Sequence, residues 1–361
     1  MNFDLSDEQK LLCDSVDKLF EAHAAATPRD PEAQWRDYVE MGLLALPFPA
    51  EIGGYGGGPE AVMLVMEAYG RTLGTAPYLQ SVLLAGTVLA GAGAHHVLAD
   101  MLEGRSKMAL CLHEPRSRYR WDTPSMTAER SPSGWILNGE KVAVLDADGA
   151  DTLIFPATTP EGLGIFLVPA NATGVWLRSR PTPDGRSAAD IRLTDVSAAV
   201  AIGEFARSRE ILAAAIDGAI VAVCGEAVGA MEKLLAITTE YLGARQQFGV
   251  ALGSFQALQH RAADMLVAIE QARSITFYAI SMLDGAPEAR GRAAAAAKAL
   301  VNNATRFVGS EAIQLHGGMG LASEYPAGRY FQRLTVLESM FGDTDHLLSE
   351  VERRSGLEQH A

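Results

Sequence analysis

Two stretches of this chain carry residue types and spacings that could grip an anion. The first is Tyr241-Leu242-Gly243-Ala244-Arg245-Gln246-Gln247-Phe248-Gly249, which ends one apolar-periodic run and leads through Val250-Ala251-Leu252-Gly253 into another that begins Ser254-Phe255-Gln256. Arg245 offers a rigid fork of donors suited to a phosphate, Gln246 and Gln247 stand beside it, and Phe248 adds an apolar plate. The second is Glu311-Ala312-Ile313-Gln314-Leu315-His316-Gly317-Gly318-Met319-Gly320, where paired glycines let another backbone approach closely. Each has a plainer reading when taken alone. An arginine at a helix end suits the helix dipole, and a glycine pair stops a helix.

Both stretches need long helices to hold them. The chain has 361 residues, of which 48% are apolar, a length suited to two or three domains and a content sufficient for a large core. The first hundred or so residues read as helical. Ser6-Asp7-Glu8-Gln9 forms a capping box ahead of the amphipathic period Leu11, Leu12, Val16, Leu19 and Phe20. Turn residues at Pro47-Phe48-Pro49 and Gly53-Gly54-Tyr55-Gly56-Gly57-Gly58-Pro59 interrupt, and helical signal returns over 60–73 and 81–102. From Lys107 the texture is β-rich: Met108–Leu112, Trp135–Leu137, Val142–Leu145, Thr152–Phe155, Ile165–Val168 and Val175–Leu177. Ser131-Pro132-Ser133-Gly134 and Asn138-Gly139 punctuate these pieces as hairpin turns would. Beyond Ser208 four helices are expected over 210–247, 254–284, 288–316 and 325–354, a four-helix bundle. The expected fold class is mainly α with a central β domain. The expected domains are a helical one over 1–106, a small β barrel or sandwich over 107–207, and the bundle over 208–361.

Composition excludes some functions. A net charge of −14 and a pI near 5.0 argue against nucleic acid and against anionic membrane surfaces. Cys13, Cys111 and Cys224 are scattered and fit a reducing compartment. The acidic N-terminus is no signal peptide, and the Ala-rich stretch 83–93 reads as a buried helix, so a cytoplasmic protein is expected. No second His, Cys or carboxylate sits at ligand spacing with His346, and no metal site is expected. His95-His96 reads as solvated, and Met63, Met66, Met231 and Met265 as core.

In order and spacing, the motifs resemble those of the acyl-CoA dehydrogenase family along nearly the whole chain. Arg245-x-x-Phe248-Gly249 and Gln314-x-x-Gly317-Gly318 resemble its flavin-diphosphate elements. Met41-Gly42-Leu43-Leu44-Ala45-Leu46-Pro47 with Glu51-Ile52-Gly53-Gly54-Tyr55-Gly56-Gly57 looks like its N-terminal signature, continued by Met66-Glu67-Ala68-Tyr69-Gly70-Arg71. Glu114-Pro115 and Leu137-Asn138-Gly139-Glu140-Lys141 match its β-domain landmarks. The resemblance implies the acyl-CoA dehydrogenase fold, FAD as cofactor, an acyl-CoA substrate, and electron-transfer flavoprotein as acceptor. In such enzymes a carboxylate removes the α-proton while the β-hydrogen leaves as hydride to the flavin, and hydrogen bonds to the thioester carbonyl stabilise the developing charge. The cofactor residues it implies are Arg245, Gln247, Phe248, Gln256, Gln314, Gly317 and Gly318, which in the family serve the flavin held mainly by a neighbouring subunit, together with Thr344.

The same resemblance exposes losses. Where the family carries its base in Tyr-Glu-Gly-Thr, this chain reads Phe341-Gly342-Asp343-Thr344-Asp345-His346, with Gly342 at the base position. The alternative family position, on the first bundle helix, falls near Ala219, with Asp217 about half a turn away. Asp343 serves as base only after a one-residue shift of the backbone; its other reading is the N-terminal cap of the last helix. In the β domain His113 stands where a threonine bonds the flavin ring, and Ala143-Val144-Leu145 replaces Trp-Ile-Thr. His113 is either a ligand or a buried structural histidine. Arg116, Arg118 and Arg120 replace the loop that admits substrate, and read either as partners of CoA phosphates or as a solvated edge. Three functions stay open. The chain is a component of an FAD-dependent acyl-CoA dehydrogenase, resembling the small, base-lacking subunit of αβ-type enzymes and paired with a homologous subunit as α2β2, with homotetramer or homodimer as alternatives. Or it is a self-sufficient flavoenzyme using Asp343. Or it is a flavin-free scaffolding homologue. The surviving donors and the missing base favour the first, and by analogy split dehydrogenases of this kind act on bulky acyl-CoAs such as those of steroid side chains and dicarboxylic acids.

Overall fold

The computed structural model describes residues 5–26, 30–132, 134–322 and 324–356. Helices α1 (Asp7–Ala25), α2 (Pro31–Glu40) and α3 (Gly58–Thr72) are followed by a π-helical stretch, Tyr78–Gly86, then α4 (Thr87–Gly91) and α5 (His95–Leu102). Seven strands come next: β1 (Met108–Leu110), β2 (Thr127–Ser131), β3 (Gly134–Leu145), β4 (Thr152–Thr159), β5 (Gly162–Pro169), β6 (Val175–Pro181) and β7 (Ser187–Ile202). The remainder holds α6 (Ser208–Ala244), the two-residue strands β8 (Gln246–Gln247) and β9 (Val250–Ala251), α7 (Gln256–Ser281), α8 (Pro287–His316), α9 (Ala327–Ser339) and α10 (Thr344–Arg354). Contacts gather these elements into two units that interleave along the chain. One comprises Met1–Arg29, Pro59–Gly74 and Ile220–Ala361; the other comprises Asp30–Gly58 and Thr75–Ala219.

In the second unit the strands pair in the ring β4–β2–β3–β7–β5–β4, so the sheet returns on itself as a small barrel, with β1 and β6 flanking it. Closure removes free edges from the ring. Its interior is filled by Leu137, Leu153, Phe155, Phe166, Ile191 and Leu193, and Trp135 sets its ring edge-on to Phe166 at 5.3 Å. The short expected strand pieces Trp135–Leu137 and Val142–Leu145 are one strand, β3. Asn138-Gly139, expected as a hairpin turn, lies inside it, where the register with β7 slips. There the Asn138 amide donates to the Asp195 carboxylate at 3.1 Å while the Asp195 N–H donates to Asn138 Oδ1 at 2.8 Å, so a turn-type dipeptide serves an interstrand irregularity. Ser133 of the other expected turn is outside the described residues; the remaining three link β2 to β3.

In the first unit the capping box is present: Ser6 Oγ accepts from the Gln9 N–H at 3.1 Å, and Gln9 Oε1 accepts from the Ser6 N–H at 3.0 Å. Helices α3 and α6 cross with backbones in contact. A β-carbon at Gly70 would stand 2.0 Å from the Glu226 carbonyl oxygen, and one at Gly229 would stand 1.9 Å from that of Glu67. Beside this crossing Glu226 and Arg333 form a two-bond ion pair, at 2.7 and 3.0 Å, that ties α6 to α9 and is shut away from solvent. Three of the four expected bundle helices are α6, α7 and α8. The fourth, drawn over 325–354, is two helices, because the chain turns at Met340–Asp343, where Phe341 and Gly342 take positive φ values of 59° and 143° that no helix allows.

Candidate functional site

Helix α6 stops at Ala244 and the chain doubles back through a two-stranded hairpin, Gln246 facing Ala251 and Gln247 facing Val250. Phe248 and Gly249 form its turn with φ of 55° and 81°, the two positive angles that a type I′ turn demands. A phenylalanine in that conformation is strained by about 1–3 kcal/mol. It gains no core packing in return: Phe248 is 90% exposed, touching Phe255 only edge-on at 6.2 Å. Arg245, Gln247 and Gln256 are exposed beside it.

At the end of α8, Gln314, Gly317 and Gly318 also face outward. Gly317 has a φ of 57°, which calls for glycine. Gly318 does not, and a β-carbon at either position would meet nothing within 4 Å. Nothing among the described residues therefore explains the second glycine. A trio of rings brings this turn to the hairpin: His316 lies 4.6 Å from Tyr241, in the last turn of α6, and 5.0 Å from Tyr325. Arg261 pairs with Glu311 at 2.5 Å and locks α7 to α8 just inside. The fold thus assembles Arg245, Gln247, Phe248, Gln256, Gln314, Gly317 and Gly318 at one end of the helices, with Val250, Met319 and Leu321 as an exposed apolar fringe. Every member points to the outside, which suits a group brought by another molecule. A forked cation, backbone donors left accessible by a glycine, and an exposed ring fit a dinucleotide diphosphate.

Asp343 and Thr344 are placed elsewhere. Asn302 Nδ2 donates to the Gly342 carbonyl at 3.3 Å, and Asn302 is separated from Gln314 by about 18 Å along α8 at 1.5 Å rise per residue. Asp343 caps α10, accepting from the His346 N–H at 2.9 Å. The Thr344 hydroxyl oxygen is buried without a hydrogen-bond partner among the described residues. A β-carbon at Gly342 would stand 2.9 Å from His346 Cδ2 and 3.0 Å from Leu347 Cγ. The turn is anchored from below by Lys298, whose Nζ donates to the Asn302 side chain and, at 2.8 Å, to the Leu337 carbonyl. Burial pushes the Lys298 ammonium down to about 8. Sequence reading passed over this pair, although a lysine inside Ala293-Ala294-Ala295-Ala296-Ala297-Lys298-Ala299 is a signal in itself: a charge in an apolar run must find partners. Ala219 is buried and inert in α6, and Asp217 is buried there too.

In the barrel, Glu114 and Lys141 form a buried ion pair at 2.9 Å, completed by donors from Ser125 and the Met126 N–H. Burial alone would raise the Glu114 carboxyl, but the Lys141 ammonium and the Ser125 donors hold it below the usual range. His113 is pushed down by burial, which keeps it neutral, and its carbonyl accepts from the Val142 N–H at 2.9 Å. Arg116 and Arg118 each take a positive φ, 67° and 47°, in the exposed loop that follows.

Comparison with known proteins agrees with this geometry. Residues 6–104 match the acyl-CoA dehydrogenase N-terminal domain and residues 210–356 the acyl-CoA dehydrogenase C-terminal domain. A probable acyl-CoA dehydrogenase of Bacillus subtilis is 28% identical over 94% of this chain and 95% of its own length. A variant of the Tcur3481-Tcur3483 steroid ACAD superposes with a TM-score of 0.88 at 29% identity, covering 98% of this chain and 99% of that one. The ChsE4-ChsE5 complex from Mycobacterium tuberculosis, at 24% identity, shares the fold with a TM-score of 0.88 over 100% of both chains. With both terminal domains matched and the fold shared from end to end, the chain belongs to the acyl-CoA dehydrogenase family, whose cofactor is FAD.

Proposed function

We propose that this chain is the base-lacking subunit of a two-chain acyl-CoA dehydrogenase, completing the FAD site of a homologous catalytic subunit. FAD supplies the chemistry by accepting hydride from the β-carbon of an acyl-CoA. This chain's part is to bind and orient. Arg245 would hold the diphosphate, Gly317 and Gly318 would leave backbone donors open to it, and Phe248 would offer the cofactor an apolar face. One observation carries the reading: the polar corner faces outward and intact, while the position of the family's base is a glycine whose φ of 143° and close His346 and Leu347 side chains disfavour any side chain there. The seating of Asp343 as a helix cap supports the same view. The assembly is an α2β2 tetramer in the cytoplasm, with electron-transfer flavoprotein as acceptor. Its substrate is a bulky acyl-CoA; the likeness to a steroid ACAD supports that choice.

The experiment is purification of the chain alone and together with a homologue that carries an intact Tyr-Glu-Gly-Thr. The chain alone is expected to be colourless, and the pair yellow and active on an acyl-CoA. A chain that is yellow and desaturates a thioester by itself overturns the proposal. So does a pair that never acquires flavin, which would make the chain a scaffold.

A further inference from the structure

His316 closes α8 directly beneath the glycine pair and is 2% exposed. Its Nδ1 lies 2.7 Å from the Ala312 carbonyl oxygen. A carbonyl only accepts, so Nδ1 carries the proton and Nε2 is a bare lone pair. That Nε2 is buried with no hydrogen-bond partner among the described residues. Tyr241 from α6 and Tyr325 from the segment before α9 flank the ring. The carboxylate acting on this trio is Glu240, through Tyr325. Burial pushes the imidazole down, in keeping with the neutral form. An acceptor left buried and empty destabilises a fold, and a leucine would fill the same space without that penalty. The adjoining Gly318 is unexplained among the described residues as well. Two independent features of one turn therefore await something from outside.

We propose that His316 Nε2 accepts a hydrogen bond from a sugar hydroxyl of the dinucleotide seated on Gly317 and Gly318, a ribose or ribityl O–H adjoining its diphosphate. The inference rests on the reading of this corner as a cofactor site. A phosphate offers only acceptors, which a bare lone pair repels; a hydroxyl beside it can donate. His316 thus makes the corner prefer a nucleoside diphosphate to diphosphate alone, and its flanking rings part to admit the hydroxyl.

The test uses the full chain with histidines labelled at Cε1, titrated by NMR with FAD, ADP and inorganic pyrophosphate. In the native protein ADP and FAD are expected to bind more tightly than pyrophosphate and to shift the His316 resonance, which pyrophosphate leaves in place. His316→Leu should weaken ADP and FAD by about fivefold and leave pyrophosphate unchanged. His316→Gln, which restores an acceptor, should recover part of the loss. Arg245→Ala should weaken all three. The free His316→Leu chain should melt at or above the native temperature, because an unpaired acceptor is gone; a clear fall would show that His316 is already satisfied and overturn the inference. If Arg245→Ala weakens the probes while His316→Leu changes nothing and the resonance stays still, the inference fails and the cofactor corner stands. If none of the three binds at millimolar concentration, the inference fails, while the reading of the corner is decided by the two-chain purification.

Discussion

Gly342 and Gly318 are glycines for opposite reasons, and substitutions separate them. At Gly342 the backbone angle and the nearness of His346 and Leu347 both disfavour a side chain. Gly342→Glu, which writes the family's base back into the chain, is expected to destabilise it by about 1–3 kcal/mol, measured by denaturant unfolding, with no desaturation by the isolated chain. At Gly318 open space lies where a β-carbon would go. Gly318→Ala should leave the melting temperature of the free chain alone and weaken FAD retention in the complex. Arg245→Ala removes charge-assisted bonds worth about 1.5–3 kcal/mol, so FAD dissociation in the complex should rise on the order of ten- to a hundredfold, read by flavin fluorescence. Asp343→Asn keeps a good cap, so stability and the activity of the complex should both hold. A large fall in activity with unchanged stability would make Asp343 the base after all.

At the scale of elements, what matters is how the helices meet. An alanine inside a helix normally stabilises relative to glycine by about 1 kcal/mol. At Gly229 the sign reverses, because the new methyl group would overlap the Glu67 carbonyl in α3. Gly229→Ala is expected to cost about 1–3 kcal/mol through a forced shift of α3 against α6, checked by chemical denaturation. Lys298, under the break between α9 and α10, has a pH signature. The folded chain gives up its proton near 8, and the unfolded chain keeps it to 10.5. Between those values the unfolded state binds more protons, so this group makes stability rise with pH across the window. Lys298→Met should flatten that rise relative to the native protein when unfolding is followed from pH 8 to 10.5.

For the molecule as a whole, the proposed two-chain site couples cofactor to fold only in the assembly. A ligand that binds the native state alone raises apparent stability with its concentration. FAD should therefore raise the melting temperature of the two-chain complex by several degrees, and that of the isolated chain little, as followed by thermal scans at increasing FAD. An equal rise in both would place a complete site within this chain.

The sequence by itself determined the helical–β–helical order, the α1 capping box, the spans of α6, α7 and α8, and the polar and glycine residues at the ends of those helices. Each rests on local chemistry: helical period, cap spacing, and a forked cation or paired glycine at a helix end. It left β7 unseen, because Ser187–Ile202 is rich in alanine and interrupted by Asp190, Thr194 and Asp195. That segment is a strand through pairing with β3, β5 and β6, residues distant in the chain. Tertiary structure alone decided that Asn138-Gly139 is a strand irregularity, that the turn before the Asp343 cap runs through positive φ at Phe341 and Gly342, and that Lys298 and Asn302 hold that turn. It also decided that His316 lies between two tyrosines with an empty acceptor. The reason is common to all four: a hydrogen-bond donor or acceptor is a property of a residue, but whether it is satisfied depends on what the fold brings beside it.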